Sequence, residues 1–217
     1  MDFSKLEENK VEFLSLLRST NRDGIENLIN WLEEKSDFFD APSSTIYHCN
    51  YRGGLCEHSL NVYKAAKSFY DSYKKLSLPE KNIEEITEDN LIISCLLHDL
   101  CKANYYETVI KWKKDETTNQ WCKYFSYKIN DKFPIGHGEK SVFIANTFIK
   151  LTGSEMLAIR WHMGTADPGI WMSNYTKPAV CLSYNNVPLS ILVAQADFFA
   201  SYCMEETIDQ SVVNQIM

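Results

Sequence analysis

The sequence has few of the residues and patterns that identify disulfide-rich proteins, proteins with a glycine-rich phosphate-binding loop, or membrane proteins. Its 217 residues include only 8 glycines and 6 prolines, and no glycine-rich phosphate loop of the Walker or dinucleotide-binding type occurs. The 7 cysteines are an odd number without a Cys-x-x-Cys pair, so we expect neither a zinc ribbon nor a disulfide framework. No apolar run approaches the roughly 20 residues of a membrane span. Because the first residues, MDFSKLEENK, are acidic and polar, we expect a cytoplasmic protein without a secretory signal or membrane contact.

Basic residues are the minority, which limits the partners that the surface can attract. The chain has 22 Lys and Arg against 29 Asp and Glu, a net charge of -7. That sign argues against a surface built to coat long nucleic acid. The charge is uneven, however, because seven lysines stand against four acids between Lys102 and Lys132. A basic segment is therefore set into an acidic protein.

Helical periodicity dominates the rest of the chain. With 45% hydrophobic residues, a chain of this length can bury one substantial core, which favours a single compact unit. An early example of helical spacing is the set Ile25, Leu28, Ile29 and Leu32. Further helices are predicted over about 56–75, 87–103, 138–151, 154–163 and 188–204, with caps at Thr87 and Ser154. The turn-rich segment from Gly164 to Asn186 is expected to be a loop over a site.

Between Tyr105 and Phe133 the helical period disappears, and apolar residues flank a polar stretch, DETTNQ. This pattern predicts two short strands and a turn. Two uses of the hairpin are open. Its lysines and aromatic residues can bind phosphates and stacked bases, or the aromatic residues can form a packed face with solvated lysines on the other side.

Four of the five histidines and two aspartates form one ordered series along the chain. The aspartates fall on apolar faces of predicted helices, where an unpaired carboxylate would cost several kcal/mol. A lone buried histidine is usually satisfied by a hydrogen bond, but one cluster of divalent ions satisfies six such groups together. Imidazole and carboxylate suit zinc, manganese and iron. The sequence therefore predicts a metal centre formed by His58, His98, Asp99, His137, His162 and Asp197.

The order His, His-Asp, His, His, Asp resembles the HD-domain superfamily of metal-dependent phosphohydrolases. The His-Asp pair stands in LLHDLCK, with Lys102 three residues after Asp99 as in the family's His-Asp-x-x-Lys pattern, although Cys101 occupies a position where glycine is common. The upstream string HCNYRGGLCEHSLNV looks like the entry to the HD domain of bacterial 3'-to-5' exoribonucleases. The resemblance spans about residues 47–201.

The resemblance implies an all-α fold, an HD-domain helical bundle, here with a small inserted β-hairpin. Residues 1–45 are then an N-terminal helical extension packed on the core, and residues 46–217 are the HD phosphohydrolase domain. The hairpin insert occupies about residues 105–133. We expect the two parts to form a single compact unit.

The resemblance also implies roles for individual residues. His58, His98, Asp99 and Asp197 would hold a first ion, while His137 and His162 would add a second ion bridged by Asp99. The ions, one or two, would be manganese, iron, magnesium, nickel or zinc. Asp99 and Lys102 would be catalytic, with Lys102 orienting Asp99 or contacting a phosphate. Lys102, Arg52 and His48 are the candidate substrate-binding residues, and each also has a purely structural interpretation.

The expected function is a divalent-metal-dependent phosphohydrolase or phosphodiesterase that acts on a nucleotide or short oligonucleotide through a metal-activated water. The exoribonucleases carry an OB-type barrel before the HD domain, and residues 1–45 are too few and too helical to form one. Processive RNA degradation is therefore not expected, and the partner is a phosphorylated small molecule or short oligonucleotide. Two alternatives stay open: a non-catalytic nucleotide-sensing HD module and a di-iron oxygenase on the same scaffold.

Overall fold

The computed structural model describes residues 3–75, 86–167 and 176–216. The protein is mainly helical with a small three-stranded antiparallel sheet. In chain order the α-helices of these ranges are α1 (Phe3–Ser19), α2 (Ile25–Glu34), α3 (Gly54–Tyr73), α4 (Glu88–Leu97), α5 (His137–Asn146), α6 (Gly153–Arg160), α7 (Thr176–Asn186), α8 (Pro188–Phe199) and α9 (Gln210–Val213). The strands are β1 (Tyr106–Lys114), β2 (Trp121–Ile129) and β3 (Gln215–Ile216).

The helices share one apolar core, with α3 near its centre. Helix α3 packs against α4 and α8, and α6 contacts α4, α5 and α8, while α1 lies against α3 and α4. A single buried cluster includes Phe13, Leu28, Leu60, Leu91 and Val193, which come from five different helices. The amphipathic spacing in α2 is confirmed, since its four predicted apolar residues are all buried. The division into an extension over 1–45 and a domain over 46–217 stays a prediction.

Helices α4, α6 and α9 begin at side-chain caps that satisfy free backbone N–H groups. The Thr87 hydroxyl accepts a hydrogen bond of 3.2 Å from the backbone N of Asn90, which confirms the predicted start of α4. The predicted cap Ser154 is wrong, because Thr152 caps α6 and Glu155 returns the bond to the Thr152 backbone. Glu155 is also buried against Arg22, whose Nη1 lies 3.3 Å from Oε2.

Four of the predicted helices, α4, α5, α6 and α8, end earlier than their apolar periods suggested, and two of these continue with a different helical pitch. Helix α4 ends at Leu97, and the chain continues through a 3-10 turn over Leu100–Lys102. Helix α8 ends at Phe199 and continues as a wider π-type turn over Ala200–Met204. Such turns are frequent at functional sites because they redirect side chains. Periodicity alone gives no sign of either change in helical pitch.

The predicted loop from Gly164 to Asn186 is wrong in its second part. Residues 176–186 form helix α7, and residues 168–175 lie outside the described ranges. Pro178 is in the first turn of α7, where its missing N–H has no helical partner to lose. The turn-forming residues Pro178, Asn185 and Asn186 therefore lie in the first and last turns of a helix.

The predicted hairpin is confirmed. Strands β1 and β2 pair antiparallel along their whole length, from Tyr106 opposite Ile129 to Lys114 opposite Trp121. The short strand β3 pairs with β2 on its other side, and this third strand was not predicted. Helix α9 packs against β2, so the C-terminal segment joins the hairpin to the helical body.

None of the helices in the described ranges is by itself long and apolar enough to cross a membrane. Helix α7 together with residues 188–204 reaches the required length and composition as a pair bent by 107°. That criterion rests on length and composition alone.

The glycine pair at the start of α3, Gly53 and Gly54, is needed for close packing of the backbone. Gly53 has φ 78°, in the left-handed region that favours glycine. A Cβ on Gly54 would lie 2.0 Å from the carbonyl oxygen of Cys49. We predict that Gly54→Ala lowers the free energy of unfolding by about 1–3 kcal/mol, because backbone atoms must move to relieve the contact.

Gly153→Ala is the matched control, because nothing lies within 4 Å of the added Cβ at that position. This variant should be neutral or gain about 0.5 kcal/mol, since alanine restricts the unfolded chain. Urea denaturation of both variants makes the comparison. Equal stability of the two variants would contradict the packing role of Gly54.

Candidate metal centre

The six residues predicted as metal ligands come from separate parts of the chain and meet in one cluster. His58 is on α3, the His98-Asp99 pair follows the end of α4, and His137 begins α5. His162 follows α6, and Asp197 is in the last turns of α8. The described residues contain four overlapping groups of possible metal ligands. Three lie within the cluster: His58 with His98 and Asp197; His98 with Asp99 and His162; Asp99 with Cys101 and His137. The fourth, His48 with His58 and Glu205, adjoins the cluster at His58.

The first group places two imidazoles against one carboxylate. The Nε2 atoms of His58 and His98 are 3.1 Å apart. Asp197 Oδ1 lies 3.2 Å from His58 Nε2 and 4.0 Å from His98 Nε2. Both histidines are fully buried.

Asp99 connects the first group to the other two histidines. Its Oδ2 lies 3.5 Å from His58 Nε2 and 3.4 Å from His98 Nε2. Its Oδ1 lies 2.7 Å from His137 Nε2 and 3.5 Å from His162 Nε2. The two oxygens of one carboxylate therefore face two different pairs of imidazoles.

The other ring nitrogen of three histidines is held by an acceptor outside the cluster. His98 Nδ1 donates to the carbonyl of Cys95 at 2.7 Å, and His162 Nδ1 donates to the carbonyl of Ile159 at 2.6 Å. His58 Nδ1 lies 3.0 Å from both carboxylate oxygens of Glu205. With the proton on Nδ1, each neutral ring directs the lone pair of Nε2 into the cluster, which is the arrangement of metal-binding histidines.

The distances and the donor set fit divalent ions. Two ligand atoms at about 2.1 Å from one ion lie roughly 3 to 4 Å apart, and the ligand atoms within each group lie within 4.8 Å of one another. The Nε2 atom of His162 is buried and has no hydrogen-bond partner among the described residues. Two Nε2 lone pairs facing each other at 3.1 Å also require a proton or a cation between them. The cluster can therefore hold metal ions.

Lys102 is the cation nearest to the centre of the cluster. Its Nζ lies 2.6 Å from Asp99 Oδ2, and only 12% of its side chain is exposed. Burial disfavours the charged lysine, but the adjacent Asp99 outweighs burial and raises the pKa of Lys102. Burial likewise disfavours the charged acid, yet Lys102 and the imidazoles hold the pKa of Asp99 well below its usual range. Both groups are thus ionised as a pair.

Burial and nearby charges also shift the pKa values of the neighbouring groups in opposite directions. Burial lowers the pKa of His58, but hydrogen bonds to Asp197 and Glu205 outweigh it and raise the pKa to about 10. Burial raises the pKa of Asp197, and His58 more than reverses that effect. For His137 burial wins and the pKa falls, whereas for His162 the contact with Asp99 wins and the pKa rises.

Sequence reasoning missed Glu205, which supports His58 from outside the cluster. Its side chain is fully buried, and Asn61 Nδ2 donates to its Oε1 at 3.1 Å. Asn61 lies three residues after His58 on the same face of α3, so a polar pair at this spacing was the available signal. Cys101 lies 3.4 Å from His137 Nδ1. Burial raises the pKa of Cys101 to about 12, which keeps its thiol neutral.

The two remaining candidates, Arg52 and His48, have different partners. Arg52 Nε donates to Asp40 at 2.7 Å, and about half of the arginine side chain is exposed. The ring of His48 lies 4.8 Å from the ring of His58. Burial, followed by the charge of His58, lowers the pKa of His48 to about 4. His48 therefore belongs to the wall of the cluster, whereas Arg52 pairs with Asp40.

We predict that Glu205→Gln weakens metal binding by about 10- to 100-fold, because the amide cannot hold His58 in the same tautomer as strongly as the carboxylate does. Isothermal titration with Mn²⁺ measures the change. Glu206→Gln is the matched control, since Glu206 is the next residue and its side chain is exposed. Equal affinity of the two variants would exclude the supporting role of Glu205.

Comparison with known proteins finds one informative relative. No protein-family profile matches the chain, and no solved structure matches it. The chain is 32% identical over 102 residues to the dihydroneopterin 2',3'-cyclic phosphate phosphodiesterase of Methanocaldococcus jannaschii. The match covers 47% of this chain and 36% of the relative, so the chain is similar to about a third of that protein.

Proposed function

We propose that the chain is a divalent-metal-dependent phosphodiesterase. The observation that carries the proposal is the convergence of four imidazole Nε2 atoms on the two oxygens of Asp99, with Asp197 completing the cluster. Such a set of nitrogen and oxygen ligands suits ions that activate water for phosphoester hydrolysis. The similarity to a cyclic phosphate phosphodiesterase supports the same class of reaction.

The proposed ligands divide into two sets. His58, His98, Asp99 and Asp197 would hold the first ion, because an oxygen of each aspartate lies 3.2–4.0 Å from the Nε2 atoms of both His58 and His98. The second set consists of His137, His162 and the other oxygen of Asp99. Asp99 bridges the two sets. The metal itself is one of manganese, iron, magnesium, nickel and zinc.

The protein side chains position and neutralise the reacting groups. When bound, divalent ions polarise phosphate oxygens and lower the pKa of a coordinated water. Lys102 holds Asp99 in its ionised form through the 2.6 Å contact. The Lys102 ammonium lies beside the cluster, where it would also bind a phosphate oxygen of the substrate.

The proposed substrate is a phosphodiester of nucleotide type, either a cyclic phosphate or a short oligonucleotide. The relative acts, by its name, on a cyclic phosphate of dihydroneopterin, whose ring system resembles a purine in size and hydrogen-bonding groups. His48 is the nearest candidate for contact with such a ring because it lies beside His58. Arg52 is a substrate ligand only if it exchanges Asp40 for a phosphate.

The fold assignment that accompanies this proposal is an HD-domain bundle. The order of the ligands along the chain and the string HCNYRGGLCEHSLNV support it, as does the helical fold around the cluster. In this assignment residues 46–217 form the catalytic domain and residues 1–45 extend its core. The link to the exoribonucleases rests on the entry string alone.

We predict that Asp197→Asn lowers hydrolysis of a 2',3'-cyclic nucleotide by at least about 100-fold, since even the residues that support metal ligands contribute 10- to 100-fold. Activity is measured with manganese, magnesium and iron supplied in turn. Asp71→Asn is the control, because Asp71 is exposed on the helix that carries His58. Full activity of the Asp197 variant would exclude the proposed centre.

Metal stoichiometry separates the two proposed sets. We predict two ions per chain in the wild type and one in His162→Ala, because in this proposal His162 would hold only the second ion, together with Asp99 Oδ1, from which its Nε2 lies 3.5 Å. Elemental analysis after dialysis gives the count. Stoichiometric metal without hydrolysis of any phosphodiester would favour the nucleotide-sensing alternative, and iron with oxygen consumption would favour the oxygenase.

A further inference from the structure

The register of the hairpin sorts its side chains onto two faces. Residues opposite each other in an antiparallel pair share a face, and successive residues alternate. Ile110 pairs with Phe125, Trp112 with Lys123, and Lys114 with Trp121. We call the face formed by Ile110, Trp112, Lys114, Trp121, Lys123 and Phe125 the outer face.

The opposite face of the hairpin is the one that packs against the protein. There Ser126 is buried, and its hydroxyl donates to Gln210 Oε1 of α9 at 2.6 Å. On the outer face, by contrast, Trp112 is 56% exposed, Trp121 is 65% exposed and Phe125 is 45% exposed. These three rings therefore lie on the solvated face, whereas Tyr124, opposite Lys111, lies on the packed face.

The charges of the outer face are all positive. Lys114 and Lys123 are exposed there, and Lys123 Nζ lies 5.1 Å from the centre of the Trp112 ring. Glu107 lies on the opposite face, where it pairs with Lys128. The outer face is thus a positively charged aromatic surface, although the chain as a whole has a net charge of -7.

We propose that the outer face binds a short single-stranded oligonucleotide. Exposed aromatic rings flanked by lysines suit both parts of an oligonucleotide, because its bases stack on the rings while its phosphates pair with the ammonium groups. Trp112 and Trp121 are diagonal neighbours across the strand pair, about 7–8 Å apart, so successive bases reach both rings. A duplex hides the base faces and fits this surface less well.

None of the residues of the outer face is a proposed metal ligand, so binding at this surface needs no metal. Its failure would leave the proposed phosphodiesterase intact, and loss of hydrolysis would leave the surface intact. Binding is therefore measured on the whole chain in EDTA. Hydrolysis of a cyclic nucleotide by the same variants, with metal present, is expected to be unchanged.

Fluorescence anisotropy of a labelled oligothymidylate of about 12 nucleotides gives the dissociation constant. We expect Trp112→Ala and Trp121→Ala each to raise it at least about fivefold. Circular dichroism checks that each variant is folded, and Trp121→Phe should retain most of the affinity because its ring still stacks.

The lysines are tested by salt dependence. Removing Lys114 and Lys123 together should reduce the slope of log affinity against log salt by about 1.4, since each contact with a single strand contributes about 0.7. Replacing Lys111 and Lys128 by alanine is the matched control, because both lie on the opposite face.

Three results would overturn the proposal. The first is no binding at low salt, and the second is equal weakening by the two lysine pairs. The third is a dimer in analytical ultracentrifugation that Trp112→Ala dissociates, because the outer face would then be a contact between two copies of the chain.

Discussion

The site depends on the interactions of the Asp99 carboxylate. This group is ionised and is buried among four imidazoles and Lys102. An uncompensated charge in that position would cost several kcal/mol, so the surrounding groups must supply cations or donors. Lys102 does so at 2.6 Å, from the turn that ends α4. The early end of α4 is therefore part of the site, because a 3-10 turn brings a residue and its third successor to the same side. The 3-10 turn places Lys102 beside Asp99, and the contact between the two residues in return stabilises the turn.

The residues of the cluster could be predicted from the sequence, whereas the contacts that support them could not. Histidines and acids on apolar helix faces are visible as exceptions to periodicity, and all six such residues meet in the structure. Glu205 was not predicted because it follows a π-type turn, and no sequence pattern indicates such a turn. The helices with clear periods were predicted, but helix α7 was not, because its turn-forming residues lie at its ends. Pairing of β3 with β2 depends on long-range docking of two residues, which carries no local signal.

The hairpin shows how one pattern allows opposite structures. Alternating lysine and aromatic residues predict two faces without stating which face is buried. Packing of α9 against β2 decides the matter, since it occupies the face that carries Ser126. The rings are then left in solvent, an arrangement that a protein retains only if another molecule uses the surface or if solubility is maintained by charge. The lysines between the rings help to keep the protein soluble whether or not another molecule binds this surface.

The bond between His58 and Glu205 joins residues 147 positions apart. A local fragment of the chain therefore cannot assemble this centre, and an ion bound there would stabilise only the nearly complete fold. By mass action the free concentration of that ion would then set the balance between folded and unfolded chains. The availability of metal in the surroundings would in this way govern how long each molecule survives proteolysis.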